Sequence, residues 1–290
     1  MNLFSKYLIL IITIIFCLVG CKKVETSHLS NLNNNVISVL GHRGSGISFD
    51  NTYPMNTLES IEVGIDEMGA DGIETDAQLS KDNYMMLYHD NDLITMTSCN
   101  GLINSHTKDE LGNCIISSAF FNDPFKVYHM ATLEEFFEKY NNYSPLPICY
   151  IDIKPYYDTV NFQSYADYVL AYSQTMNTLI SKYNRYENTL LSSGDIYMLQ
   201  RLQMISPSLK LTIDNPDFNM AFQIATSLGL FGITIHYKNI TRAMVEKAHA
   251  NNLRIILWGV NTKSACRQTA SLFPDYVETD NVLYMLSLAK

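Results

Sequence analysis

Glu74 and Asp76 stand two residues apart in the apolar run Gly72-Ile73-Glu74-Thr75-Asp76-Ala77. Alternation along a strand points both carboxylates to the same side, as a divalent cation needs. Fifteen residues beyond Glu74, after the polar turn Ser80-Lys81-Asp82-Asn83, the chain reaches Tyr88-His89-Asp90. A hairpin folded at Asp82-Asn83 puts His89 beside Thr75, so an imidazole arrives next to the acids through local pairing alone. A second imidazole, His42, ends the apolar run from Val36 to Leu40 and is followed by Arg43-Gly44. Two histidines, two acids and an arginine at strand ends are the parts of a phosphate-ester site. A cation neutralises charge gathering on phosphorus oxygens, and imidazoles titrate near neutrality and can move protons.

Such groups need a frame. Eight short β-rich runs punctuate the chain: Val36 to Gly41, Gly72 to Asp76, Pro147 to Lys154, Thr189 to Ser192, Leu209 to Ile213, Gly232 to His236, Arg254 to Val260 and Asp275 to Thr279. Amphipathic stretches separate them, with apolar stripes such as Leu58, Ile61, Ile65 and Met68, or Met244, Val245 and Ala248. Strands alternating with helices predict parallel pairing. Asn56 with Glu59, Thr132 with Glu135, and Thr241 each offer a side-chain oxygen to cap a helix N-terminus. The run from Met85 to His89 follows a four-residue turn, too short for a parallel crossover, and belongs to the hairpin. The expected fold is therefore a single α/β domain, a (β/α)8 TIM barrel, with a hairpin and loop insertion from about residue 78 to 130. In such barrels chemistry sits at the C-terminal ends of the strands, where every residue singled out above falls. The third run ends Ile151-Asp152-Ile153-Lys154, adding a carboxylate and an ammonium on one face.

The N-terminus predicts export. One lysine in Met1 to Lys6 precedes thirteen almost wholly apolar residues, Tyr7 to Val19, a length that suits a secretory h-region rather than a mature membrane span. Leu18-Val19-Gly20-Cys21 resembles the bacterial lipobox, in which cleavage precedes a cysteine that carries diacylglycerol. The expected organisation is a signal peptide over residues 1–20, a Ser- and Asn-rich tether over 21–35 and the barrel over 36–290, with Cys21 lipidated at the periplasmic or outer face of a bacterial membrane. Formal charge is −9 with no basic run, which argues against nucleic acid as a partner. Four cysteines lie outside the leader and lipobox: Cys99, Cys114, Cys149 and Cys266. Their spacing fits no zinc site. Cys99 and Cys114 are either bridged, as an oxidising compartment permits, or free thiols. His28, His106, His129 and His249 lack chemical company and read as surface or loop residues.

These residues resemble the glycerophosphodiester phosphodiesterase family. Gly41-His42-Arg43-Gly44 is similar to its opening His-Arg-Gly, Pro54-Met55-Asn56-Thr57 to its Pro-Glu-Asn-Thr, and Gly69 to Asp76 to its Gly-Ala-Asp…Glu-x-Asp. Lys81-Asp82 with His89-Asp90, Ile151 to Lys154, Trp258-Gly259-Val260-Asn261, and Asp275 to Asp280 resemble later signatures in the right order. The resemblance implies hydrolysis of a small-molecule glycerophosphodiester to an alcohol and glycerol phosphate, with His42 and His89 as the acid and base pair. It implies Glu74, Asp76 and Asp152 as ligands of one divalent cation, Ca²⁺ or Mg²⁺ by their all-oxygen donors. Arg43 and Lys154 would hold the phosphate. From the residues themselves, Trp258 reads as barrel packing with an edge on the substrate pocket, and His236 as either a glycerol-side contact of that pocket or a capped loop residue. Two positions depart from the family. Asp152 replaces its usual Glu and is one methylene shorter, and Met55 replaces a Glu that would partner Arg43. Two other readings use the same residues: a phospholipase D-like or phosphoinositide-cleaving barrel acting on intact lipid, with Phe120-Phe121 and Pro124-Phe125 as apolar loops at its mouth, or a lipoprotein that binds glycerophosphodiesters without turnover.

Overall fold

The computed structural model describes residues 30–47, 53–116 and 126–290. Eleven strands follow in chain order: β1 (Ser38–Gly41), β2 (Gly72–Leu79), β3 (Met85–Leu87), β4 (Ile115–Ile116), β5 (Tyr128–His129), β6 (Ile148–Ile153), β7 (Thr189–Ser193), β8 (Lys210–Asp214), β9 (Gly232–His236), β10 (Arg254–Val260) and β11 (Tyr276–Thr279). Eight of them, in the order β1-β11-β10-β9-β8-β7-β6-β2, pair in parallel, and β1 returns to β2 through Leu40↔Gly72 and Gly41↔Ile73. The sheet is closed. It is the expected (β/α)8 barrel, and each of its strands falls on one of the eight β-rich runs.

Alternation decides which side chains face the axis. In β2, Ile73 and Ala77 turn outward into the large core between sheet and helices, leaving Glu74 and Asp76 to face inward. The same rhythm packs Leu40, Tyr150, Leu190, Ile256 and Tyr276 together inside the barrel, a plug that closes its lower half. Above that plug the inward positions turn polar. Each of these buried large side chains contributes about 1.5–3 kcal/mol, so the polar tier rests on a firm apolar floor.

The insertion begins as expected. β2 and β3 pair antiparallel through Ala77↔Leu87, Gln78↔Met86 and Leu79↔Met85, a register that continues to set His89 opposite Thr75. Asn83 takes the left-handed conformation in the turn, at φ 64°. Further on, β4 and β5 pair, and Cys99 and Cys114 are joined by a disulfide, whereas Cys149 and Cys266 are free and buried. Phe120, Phe121, Pro124 and Phe125 lie outside the described residues, as does Cys21.

Some local expectations are corrected. The first helix, Leu58–Glu62, is capped by Thr57, whose side chain accepts from the Ser60 N–H, and not by Asn56, which is drawn into the barrel mouth. Thr132 and Glu135 do form a capping box, but Thr241 makes no side-chain cap bond. The barrel's first fixed contacts start before residue 36. Asn31 donates to Pro274 O at 2.8 Å, and Leu32 N donates to Asp275 Oδ1 at 2.7 Å, so the tether's last residues are docked on the floor. His249 is no free surface group either, since its Nε2 lies 2.8 Å from the buried Asp275 carboxylate.

Candidate active site

β1 ends in a tight turn that presents His42 and Arg43. Arg43 adopts φ 52°, and a Cβ on Gly41 would lie 1.8 Å from the Gly44 carbonyl oxygen, so the turn admits only glycine there. His42 Nδ1 is 2.7 Å from Asp280 Oδ1, just past the end of β11. Its Nε2 faces Glu278 Oε1 at 3.4 Å and Glu74 Oε2 at 3.9 Å. Burial opposes charge on this ring, but Glu278, the Asp280 hydrogen bond and Glu74 outweigh it and raise its pKa to about 9. The neighbouring Arg43 N–H donates to Glu74 Oε2 at 2.9 Å, tying the turn to β2.

Asp76 is the most heavily partnered acid. Lys154 Nζ and Arg43 Nε each lie 3.1 Å from it, and Asn56 Nδ2 donates to it at 2.9 Å. Although burial works the other way, Lys154 and Arg43 hold its pKa below the ordinary value. Asn56 also accepts from the Thr75 hydroxyl at 2.8 Å, which fixes its amide. Lys154 bridges Asp76 to Asp152, the directly paired position on β6. Arg43 Nη1 reaches Met55 Sδ at 3.0 Å, so the residue that departs from the family pattern still touches the arginine.

Glu74, Glu278 and Asp152 have cations beside them, His42 for the first two and Lys154 for the third, yet these do not offset their burial. Burial raises all three pKa values, with neighbouring carboxylates adding to it, and Glu278 reaches about 7. Donor atoms of Glu74, Glu278 and His42 fall within 4.8 Å of one another, close enough to share an ion. Only Glu74 of the expected ligand trio belongs to that cluster. Asp76 and Asp152 instead face Lys154.

His89 closes the site from the hairpin. Its Nδ1 is 2.6 Å from Asp90 Oδ1, and the Tyr88 N–H donates to Asp76 O at 3.0 Å. Gln78, buried beneath, donates to the Tyr88 and Asp90 carbonyls at 2.9 and 2.8 Å and clamps both sides of the histidine. His42, Arg43, Glu74, Asp76, His89, Asp152, Lys154 and Trp258 all line one cavity of about 350 Å³ at the C-terminal mouth of the barrel. The sequence reading thus selected residues that converge. His236 is the exception: it stands behind Trp258, edge to face at 4.7 Å, and its Nδ1 accepts the Lys238 N–H instead of facing the cavity.

Four further residues shape the site. Glu278 lies in the stretch Asp275 to Asp280 that resembles a family signature, where its inward parity is readable but nothing singles it out among three acids. Asp280 belongs to the following turn, and only the fold brings it to His42. Asn56 was read as a cap because its neighbours fit one. Asp214, the last residue of β8, follows the expected run Leu209 to Ile213 and lines the cavity.

Comparison with known proteins agrees with this geometry. The model of the glycerophosphoryl diester phosphodiesterase family matches residues 42–283. A glycerophosphodiester phosphodiesterase of Caldanaerobacter subterraneus subsp. tengcongensis is 24% identical over 253 residues, 87% of this chain and 97% of that protein. The fold is similar to that of an Oleispira antarctica phosphodiesterase solved in complex with the product sn-glycerol-3-phosphate, with TM-score 0.73 and 20% identity over 87% of this chain and 96% of that one. It is also similar to a glycerophosphodiester phosphodiesterase from Agrobacterium tumefaciens, with TM-score 0.70 and 20% identity over 87% and 99% of the two chains. With the family model covering the barrel from His42 to its last helix, this chain belongs to the glycerophosphoryl diester phosphodiesterase family.

Proposed function

We propose that this chain hydrolyses glycerophosphodiesters to an alcohol and glycerol phosphate, with His42 and His89 as the proton-transfer pair. The observation that carries the reading is the pair itself: two imidazoles, each oriented through Nδ1 by its own carboxylate, line the same acid-walled cavity. A carboxylate on Nδ1 fixes the tautomer and leaves Nε2 to exchange protons with substrate. One imidazole takes the proton of the glycerol hydroxyl beside phosphorus as its oxygen forms the new P–O bond. The other gives a proton to the departing alkoxide as the old P–O bond breaks. Water then opens the cyclic phosphate, with the two proton transfers reversed. Arg43 and Lys154 supply positive charge to the phosphate oxygens.

The donor set fits a hard divalent cation. Glu74, Asp76 and Asp152 would hold it with Glu278 alongside, all through oxygen, as Ca²⁺ or Mg²⁺ requires. Glu74 is buried and Glu278 and Asp152 partly so, and their raised pKa values mark negative charge that such an ion would offset. When bound, the cation stabilises negative charge on the phosphoryl group. The test is release of glycerol phosphate from glycerophosphocholine by purified residues 22–290, with and without EDTA. Release that EDTA abolishes and added cation restores is expected; no metal-dependent release from any glycerophosphodiester removes the reading. The same reading includes export and a lipid anchor at Cys21, supported by the apolar h-region and the lipobox.

A further inference from the structure

The cavity has two unlike halves. Around the closed sheet β8 lies four strands from β1 in either direction, so Asp214 faces His42 and Arg43 from across the mouth. Arg43 and Lys154 are the lysine and arginine residues on the cavity wall, and both belong to the β1, β2 and β6 side, each spent on Asp76. The opposite side carries Asp214, Thr234, Trp258 and Asn261. The Asp214 carboxylate receives one long hydrogen bond, from Trp258 Nε1 at 3.4 Å, and among the described residues no lysine or arginine pairs with it.

Behind this wall the aromatic stack is fixed and uncharged. A Cβ on Gly259, at φ 78°, would come within 2.5 Å of the His236 ring, so the glycine lets the imidazole stand against β10. His236 Nδ1 is an acceptor, and burial with the nearby Lys238 holds its pKa below the ordinary value, so it adds no positive charge to this half. Burial and Asp152 across the cavity raise the Asp214 pKa to about 6, below neutrality, so at pH 7 and above the acid supplies negative charge beside an indole, a pairing complementary to a positive group.

The structure assigns Asp214 and Trp258 as the determinants of the leaving alcohol: we propose that they form a headgroup subsite selecting a cationic amino-alcohol, ammonium or quaternary ammonium, over a neutral polyol. This rests on the phosphodiesterase reading above, and it takes a diester whose phosphate lies against Arg43 and Lys154 to turn its alcohol, and not its glycerol, toward β8 and β10. An ammonium headgroup donates to Asp214. A quaternary one cannot, and relies on charge and the Trp258 face.

The test compares kcat/KM for glycerophosphoethanolamine, glycerophosphocholine and glycerophosphoglycerol in wild type and Asp214→Asn. The ratio of cationic to neutral substrate is expected to fall about tenfold or more in the variant, mostly through KM, as loss of one buried charge contact would give. A ratio unchanged within about twofold, on the same scale, overturns the assignment. Trp258 is the chain's single tryptophan, so its fluorescence reports on this end without turnover. Choline and ethanolamine are expected to change Trp258 emission in wild type and much less in Asp214→Asn, with glycerol inert. An equal response to glycerol, or an equal response in the variant, also overturns it. Should no diester be hydrolysed, the fluorescence titration still decides the subsite, and the two failures stay separate.

Discussion

At the scale of single residues the site is organised by unequal partnering of similar groups. His42 and His89 each have a carboxylate behind them, which is the arrangement proton transfer needs. Replacing either with alanine is expected to lower turnover by ~10² to 10⁴, with the far-ultraviolet circular dichroism unchanged. A loss below about tenfold would exclude that histidine from proton transfer. Glu278 makes a prediction about pH. Burial lifts its folded pKa to about 7 from the ordinary 4.5, so in that window the folded protein holds a proton that the unfolded chain has released. Protein stripped of cation by EDTA should therefore lose stability as pH rises from 4.5 to about 7, by on the order of 3 kcal/mol. Melting temperatures in EDTA should show that slope, and Glu278→Gln or excess divalent cation should flatten it. A slope identical in all three samples would mean that the carboxylate carries no such penalty. His42, Glu74, Asp76 and His89 were legible because their motifs join chemistry to strand parity. Asp280 and Asp214 were not, because an acid in a turn or at a strand end acquires meaning only from what the closed sheet sets opposite it.

Among the elements, the strands were the most readable part of the chain. All eight barrel strands are parallel and covered on both sides, so each reads as a compact apolar run between helical stripes. Helix starts were less legible, since Ser, Thr, Asn and Asp serve caps and sites alike. Asn56 and Thr57 are adjacent, and the fold gave the cap to Thr57 and the catalytic mouth to Asn56. The same distinction separates two threonines. Thr132 closes a reciprocal capping box with Glu135, whereas Thr241 makes no cap bond and is exposed. Thr132→Ala is expected to cost about 1 kcal/mol in urea denaturation and Thr241→Ala less than about 0.5 kcal/mol. Equal losses would show that the box contributes nothing to the helix. The hairpin also has its role at this scale: β3 adds antiparallel to β2 and delivers His89 without any crossover, which is why the local sequence sufficed to locate it.

Taken whole, the molecule is a polar mouth over an apolar plug, and its ends are assigned separately. A net charge of −9 gives no long-range attraction for a diester anion, so capture depends on Arg43 and Lys154 inside the mouth. If Cys21 is the lipid-bearing residue, wild-type cells fed radiolabelled palmitate should label the protein and Cys21→Ser cells should not. Equal labelling would dismiss the lipobox. The docking of Asn31 and Leu32 then acquires a geometric meaning. Those residues grip Pro274 and Asp275 at the entrance to β11, and Arg254 Nη2 reaches Leu32 O at the start of β10, so the polypeptide joins the cylinder at the end remote from His42. On the proposed anchoring at Cys21, the point of attachment and the opening would lie at opposite ends of the cylinder. Headgroup esters already freed of their acyl chains would then reach that opening by diffusion more readily than phospholipids seated in the leaflet.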